Sequence, residues 1–356
     1  VLLLIAARLA LPGMVRKYVN RTLDQSQLYR GKIGDVNLHL WRGAYSIHDL
    51  TLAKITGDVP VPLYSAKRVD FQLEWSALWH RKLVGQVIME EPELNFVDAP
   101  SDAESQTGAG GPWLQIIRDL FPFQINSARV RNGAIHFRTF QTGRPVDVYL
   151  TRLEATVDNL TNIQNDVTPM ITAVKAHATA MDQADFDFQM KLDPFSYRPT
   201  FHMATRLLGL DVTKINDLAL SYGQFDFKNG SLDLVIEVDA KEGQMEGYVK
   251  PLFRGLHVFS LGQDVRKDPL RFFWQALLGG TVQLFKNQPR DQFGTLIPFT
   301  SDLTTNRPDI LGTIGNVLRN AFVRAYLPRL EQRAAEGAGL NFGAPSPIES
   351  TSIGGK

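Results

Sequence analysis

The sequence contains no cysteine, which excludes a thiol nucleophile, an iron–sulfur cluster, thiolate zinc sites and a disulfide framework. It lacks a surplus of charge as well. Its 38 Lys+Arg stand against 37 Asp+Glu, whereas domains that hold nucleic acid by bulk electrostatics are plainly basic. The signatures of common chemistries are missing: there is no G-x-S-x-G elbow, no G-x-x-x-x-G-K-[ST] phosphate loop and no G-x-G-x-x-G. The seven histidines (His39, His48, His80, His136, His177, His202, His257) are scattered singly, and none has a partner at metal-helix spacing. The GAGG at 108–111 is not fed by a strand and no Lys-Ser/Thr follows it. The acidic pairs Glu90-Glu91 and Asp185/Asp187 read as solvated strand faces rather than as general acid and base. The expectation is a protein that is not an enzyme, with no catalytic residue, no cofactor and no metal.

Apolar residues make up 44% of the 356 residues, enough to bury a sizeable core. The chain opens VLLLIAARLALPG, an apolar run broken only by Arg8. A spanning helix needs about 20 such residues. Past Pro12 the pattern turns amphipathic, with Val15, Tyr18, Val19, Leu23 and Leu28 near helical spacing. Residues 1–28 are therefore expected to form a membrane anchor that continues as a surface-lying amphipathic helix. The alternatives are a signal-peptide remnant and a greasy helix docked on the core.

From residue 31 the apolar period becomes two. Val36, Leu38 and Leu40 alternate with polar residues. Tyr45, Ile47, Leu50 and Leu52 follow, with a break at His48-Asp49, and Val69, Phe71, Leu73 and Trp75 come next. Val84–Met89 is interrupted at Glu91-Pro92 and resumes at Leu94 and Phe96. Residues 98–112 read as a flexible polar loop and Trp113–Phe121 as a short helix. Asn132-Gly133 and Asn229-Gly230 sit in similar phrases, each read as a hairpin turn. Further alternating runs fall at 146–150, 186–192, 201–203, 232–238 and 293–297. Helices are expected from Asp268-Pro269 through Asn287 and from about Asp309 to Ala325, ahead of a flexible tail at 331–356. The 21 Phe alternate with acids as often as with bases, so the aromatic stripe is core or lipid-contact surface and not a base-stacking platform. If the apolar faces line one channel, its candidate residues are Leu38, Leu40, Phe71, Leu73, Phe137, Val148, Phe188, Leu234 and Ile236, with neighbouring Val235 pointing the other way. Closed as a sandwich, the same strands would bury these faces against each other.

Three stretches carry a family resemblance: Tyr29-Arg30-Gly31-Lys32-Ile33, Leu38 through Leu52 (LHLWRGAYSIHDLTL), and Val69 through Leu78 closing on Lys82-Leu83-Val84-Gly85 and Glu91-Pro92-Glu93-Leu94. With them Gly31 to Val97 resembles the N-terminal region of the AsmA-like family of Gram-negative bacteria. Ile125–Phe137, Gly247-Tyr248-Val249-Lys250-Pro251 and Ile297-Pro298-Phe299 resemble a short branch of that family. The resemblance implies a mainly β (α+β) fold, a long curled antiparallel sheet forming a taco-like groove with an N-terminal membrane helix and a few packing helices. On this reading 1–28 is the anchor, 29–97 the AsmA-like β region and 113–330 the β-rich groove region with terminal helices. It further implies one N-terminal anchor in the inner membrane, the bulk in the periplasm, phospholipid acyl chains as ligand, and a role in phospholipid transport or envelope homeostasis. The family brings no catalytic residues. About 16 strands at roughly 4.8 Å each would give a groove of roughly 75 Å, a short bridge that calls for an envelope partner or self-association. The alternative is a structural or scaffolding subunit that recruits envelope proteins through sheet edges.

Overall fold

The computed structural model describes residues 28–39, 44–73, 84–99, 104–106, 124–140, 145–159, 172–193, 200–223, 225–260, 285–287, 292–294 and 297–302, together with Arg198 and isolated positions between 12 and 21. Those few N-terminal positions are helical. The apolar run at 1–11 of the expected anchor, the helices expected at 113–121 and 309–325, and the tail at 331–356 lie outside the described residues. No helix among the described residues is long and apolar enough to cross a membrane.

The chain is mainly β. Its strands are β1 (Tyr29–Lys32), β2 (Asp35–His39), β3 (Ala44–Lys54), β4 (Tyr64–Leu73), β5 (Val84–Val97), β6 (Gln124–Thr139), β7 (Val146–Asp158), β8 (Thr172–Ala180), β9 (Ala184–Leu192), β10 (Phe201–Asp211), β11 (Phe225–Lys241), β12 (Gln244–Ser260), β13 (Phe285–Asn287), β14 (Gln292–Gly294) and β15 (Ile297–Asp302). All belong to one sheet in the order β1-β3-β4-β5-β6-β7-β8-β9-β10-β11-β12-β14-β13. β1 and β2 lie end to end along β3, and β14 and β15 do the same along β12. Neighbours are antiparallel throughout except for β5 and β6, which pair in parallel. A parallel pair cannot be joined by a tight turn, and residues 98–123 make that connection. Part of the stretch read as a loop is pinned to the sheet: Val97 and Gln106 exchange backbone hydrogen bonds of 2.9 and 2.7 Å. The Gln106 side chain donates to the carbonyls of Val61 and Asn95. Among the described residues 13 strands lie on the path, which spans roughly 58 Å along its hydrogen-bonding direction.

Both Asn-Gly hairpins are overturned. Asn132-Gly133 lies inside β6 and Asn229-Gly230 inside β11, each a single continuous strand. A two-residue type I′ turn needs positive φ at both central residues. Here only Asn132 (φ 50°) and only Gly230 (φ 130°) have it, so each pair makes a bulge and the strand runs on. The two bulges belong to a line of positive-φ residues that crosses the sheet. Asp49, Glu91, Asn132, Arg152, Gly209, Gly230 and Gly255 all take positive φ, on β3, β5, β6, β7, β10, β11 and β12. Each inserts one residue into the alternation, so Ile47 and Leu50, or Met89 and Leu94, face the same side despite their odd and even numbers. The phase breaks at His48-Asp49 and Glu91-Pro92 are two of them.

Two further departures concern local identity. The helix expected through Asn287 gives way to strand at Phe285–Asn287, and its earlier part lies outside the described residues. Helix α1 (Asn216–Gly223) follows a 3-10 turn at Val212–Ile215. Asp211 caps that turn by accepting from the Thr213 amide and hydroxyl, and those two bonds hold its carboxyl below the ordinary range.

Candidate functional site

Strand register assembles the principal surface. Cross-strand partners run unbroken from Val36 through Ile47, Val69, Met89, Val130, Ala155, Ala176, Phe188, Thr205 and Ile236 to Val249. A second lane runs beside it through Leu38, Tyr45, Phe71, Val87, Ala128, Val157, Val174, Met190, Met203 and Val238. Apart from Thr205 every side chain in the two lanes is apolar or tyrosine, and period-two alternation places both on one face.

Packing along this face is uneven. One cluster centres on Ile33, Val36, Ile47, Val69, Phe71 and Val87, and another on Met190, Met203, Ile236, Val238, Val249 and Phe253. Tyr45 stacks on Phe71 with ring centroids 4.5 Å apart, and burial pushes its hydroxyl pKa up. Burial also raises the Tyr64 hydroxyl, to about 12. Between the clusters the first lane opens: Met89, Val130, Ala155, Ala176 and Phe188 are all half-buried. Val130, Ala155 and Ala176 belong to neither cluster.

Of the residues anticipated from alternation, Leu38, Phe71, Val148, Phe188, Leu234 and Ile236 share this face and pack against one cluster or the other. Phe137 pairs with Val148 and is 37% exposed. Leu40 and the Leu73 side chain lie outside the described residues. Ile236, at 6% exposure, is closed in by its neighbours. In the open stretch Phe188 was anticipated, whereas Ala155 and Ala176 at its centre are too small for hydrophobicity to mark.

The opposite face is charged. Arg68 pairs with Asp70 and Glu90, Arg131 with Glu90, and Arg206 with Asp187. Three histidines meet carboxylates across strands: His136–Asp147 at 2.8 Å, His177–Asp187 at 3.0 Å and His202–Asp239 at 2.9 Å. His136 also lies beside Arg138, which itself bonds Asn95, Glu93 and Asp147. Among the described residues no group of three His, Asp or Glu could hold a metal ion.

Asp187 is partly buried, which disfavours its charge, but hydrogen bonds and charge from His177 and Arg206 outweigh this and its carboxyl titrates below the ordinary range. A depressed carboxyl stabilises above its unfolded pKa of about 4, and that contribution is lost as pH falls through the folded value. Asp187→Asn is therefore expected to unfold in less urea at pH 6, by roughly 1 kcal/mol for this solvent-screened group. The gap should narrow toward pH 2. A pH-independent gap would show that the pairing is not the cause.

The chain matches no family model and no curated protein.

Proposed function

We propose that the apolar lane is a binding surface for phospholipid acyl chains, and that the protein contributes to phospholipid transport or envelope homeostasis. The observation that carries this reading is the window at Met89, Val130, Ala155, Ala176 and Phe188, a half-buried apolar stretch between two packed clusters. Uncovered apolar surface of this kind is costly in water and marks a ligand or partner site. Acyl chains need apolar contact without hydrogen bonds, which valine, alanine and phenylalanine supply. The bulges on β6, β7, β10, β11 and β12 favour curling, since each bulge bends its strand and increases the local twist, and a sheet curled toward the lane becomes a groove. The resemblance of residues 31–97 to the AsmA-like family points the same way. It adds the inner-membrane anchor at 1–28 and a periplasmic location for the bulk.

A scaffolding role is the second reading, favoured by the open sheet edge: among the described strands β1 and β2 pair only with β3. Mass spectrometry of phospholipid that co-purifies after detergent-free extraction separates the two. Ala176→Asp places a carboxylate in the open window, where it can reach water. The variant is expected to accumulate normally, melt within a few degrees of the parent and carry no phospholipid. No bound phospholipid in the parent, or a variant that fails to accumulate, would favour the scaffold.

A further inference from the structure

The charged face carries a feature that the acyl-chain reading does not use. A depression of about 490 Å³ takes three consecutive residues from each of β6, β7, β8 and β9: 129–131, 154–156, 175–177 and 187–189. The middle residue of each triplet, Val130, Ala155, Ala176 or Phe188, belongs to the apolar lane and turns its side chain away. The flanking residues therefore form two polar walls over a floor of backbone.

The walls differ in charge balance. On one, Arg131 pairs with Glu90, Asp187 with His177 and Arg206, and Glu154 accepts the Asn132 amide. That wall is neutralised internally. The other is a single cross-strand row, with Arg129 opposite Thr156, Thr156 opposite Lys175, and Lys175 opposite Gln189. Arg129 and Lys175 are exposed and have no ion pair among the described residues. Asp158, one row further along β7, pairs with neither. Strand spacing sets the Cα atoms of Arg129 and Lys175 about 9.6 Å apart, astride Thr156. Two long cationic side chains can converge from that separation on one tetrahedral oxyanion, with the Thr156 hydroxyl as a third donor and an Arg fork suited to paired oxygens.

We infer that the Arg129–Thr156–Lys175 row is a phosphoryl-oxyanion site on the polar face. Its ligand is a phosphate group, either a free phosphate or the phosphodiester of a lipid headgroup. Because it lies on the face opposite the apolar lane, its failure leaves the acyl-chain reading standing, and the reverse holds too.

The test is an NMR titration of the purified full chain in non-ionic detergent, at constant ionic strength, with inorganic phosphate in one arm and glycerophosphoglycerol, a headgroup without acyl chains, in the other. Saturable shifts at the Arg129, Thr156 and Lys175 amides are expected in at least one arm, and the stronger arm identifies the source. Arg129→Gln and Lys175→Gln should each weaken that binding at least fivefold without moving the melting temperature, because both side chains are exposed. Thr156→Val should weaken it less. Shifts that fail to saturate in both arms, or that survive both glutamine substitutions, would overturn the inference.

Discussion

Ile236→Asp is expected to fail to accumulate as a folded protein, while Val235→Asp next to it is nearly silent. Ile236 is 6% exposed within the β7–β12 cluster and faces Thr205 and Val249 across its two neighbours. The change deletes a buried aliphatic side chain and leaves an unpaired carboxylate in its place. Together these cost about 4 kcal/mol or more, a large share of the 5–15 kcal/mol that typically holds a domain together. Val235 sits on the charged face between Arg206 and Lys250, where a new carboxylate meets cations and water, so its effect should stay within about 1 kcal/mol. Abundance and thermal melting of the two variants measure the contrast. The reverse order, with Val235→Asp failing and Ile236→Asp silent, would mean that the β11 register is shifted by one residue.

Gly230→Ala is the second large effect. Gly230 takes φ 130° at its bulge, a conformation open almost only to glycine. A Cβ there would also come within 2.9 Å of the Leu256 Cα and 3.3 Å of the Arg254 carbonyl, backbone atoms that cannot swing aside. Strain and clash should together cost about 3 kcal/mol. Gly209→Ala is the control: φ is 76° and no atom lies within 4 Å of the added Cβ, so the expected loss is about 1 kcal/mol. Urea unfolding of both variants reads the difference. A Gly230→Ala loss no greater than that of Gly209→Ala would show that β12 yields at the bulge.

Alternation made most strands legible, because a sheet with one dry face imposes a period of two that no helix mimics. The phase breaks at Asp49 and Glu91 were visible as interruptions, and both residues take positive φ. Asn132-Gly133 and Asn229-Gly230 were misread because the residues that tolerate positive φ serve hairpins and bulges alike, and only the continuing ladder tells them apart. β8 escaped notice since its inward positions after Val174 are Ala176, Ala178 and Ala180, too small to mark a period. β12 carries Pro251 in mid-strand opposite Leu234, where a missing amide normally argues for an edge. The candidate site was half legible for the same reason. Leu234 and Ile236 announced the apolar face by their size, but they lie where it is packed; of the open window Met89 and Phe188 were legible, whereas Ala155 and Ala176 at its centre are too small for a hydrophobic pattern to mark. The Arg129, Thr156 and Lys175 row left no local trace, because three separate ladders bring those residues together.

The lone parallel seam between β5 and β6 sets the order in which the molecule can assemble. On either side of it β2 to β5 and β6 to β12 are antiparallel neighbours in sequence order, and some turns are very short: Glu242-Gly243 joins β11 to β12, and 181–183 joins β8 to β9. Joining β5 to β6 requires closing the 26 residues between Val97 and Gln124, an entropic penalty about 2 kcal/mol above that of a two-residue turn. The β1–β5 and β6–β12 meanders can therefore zip up locally as separate nuclei before the seam forms. The seam then joins Val87 to Ala128 within the first cluster, so the last long-range pairing to form also completes a core. Amide exchange in the native state would register this as two protection units divided between β5 and β6.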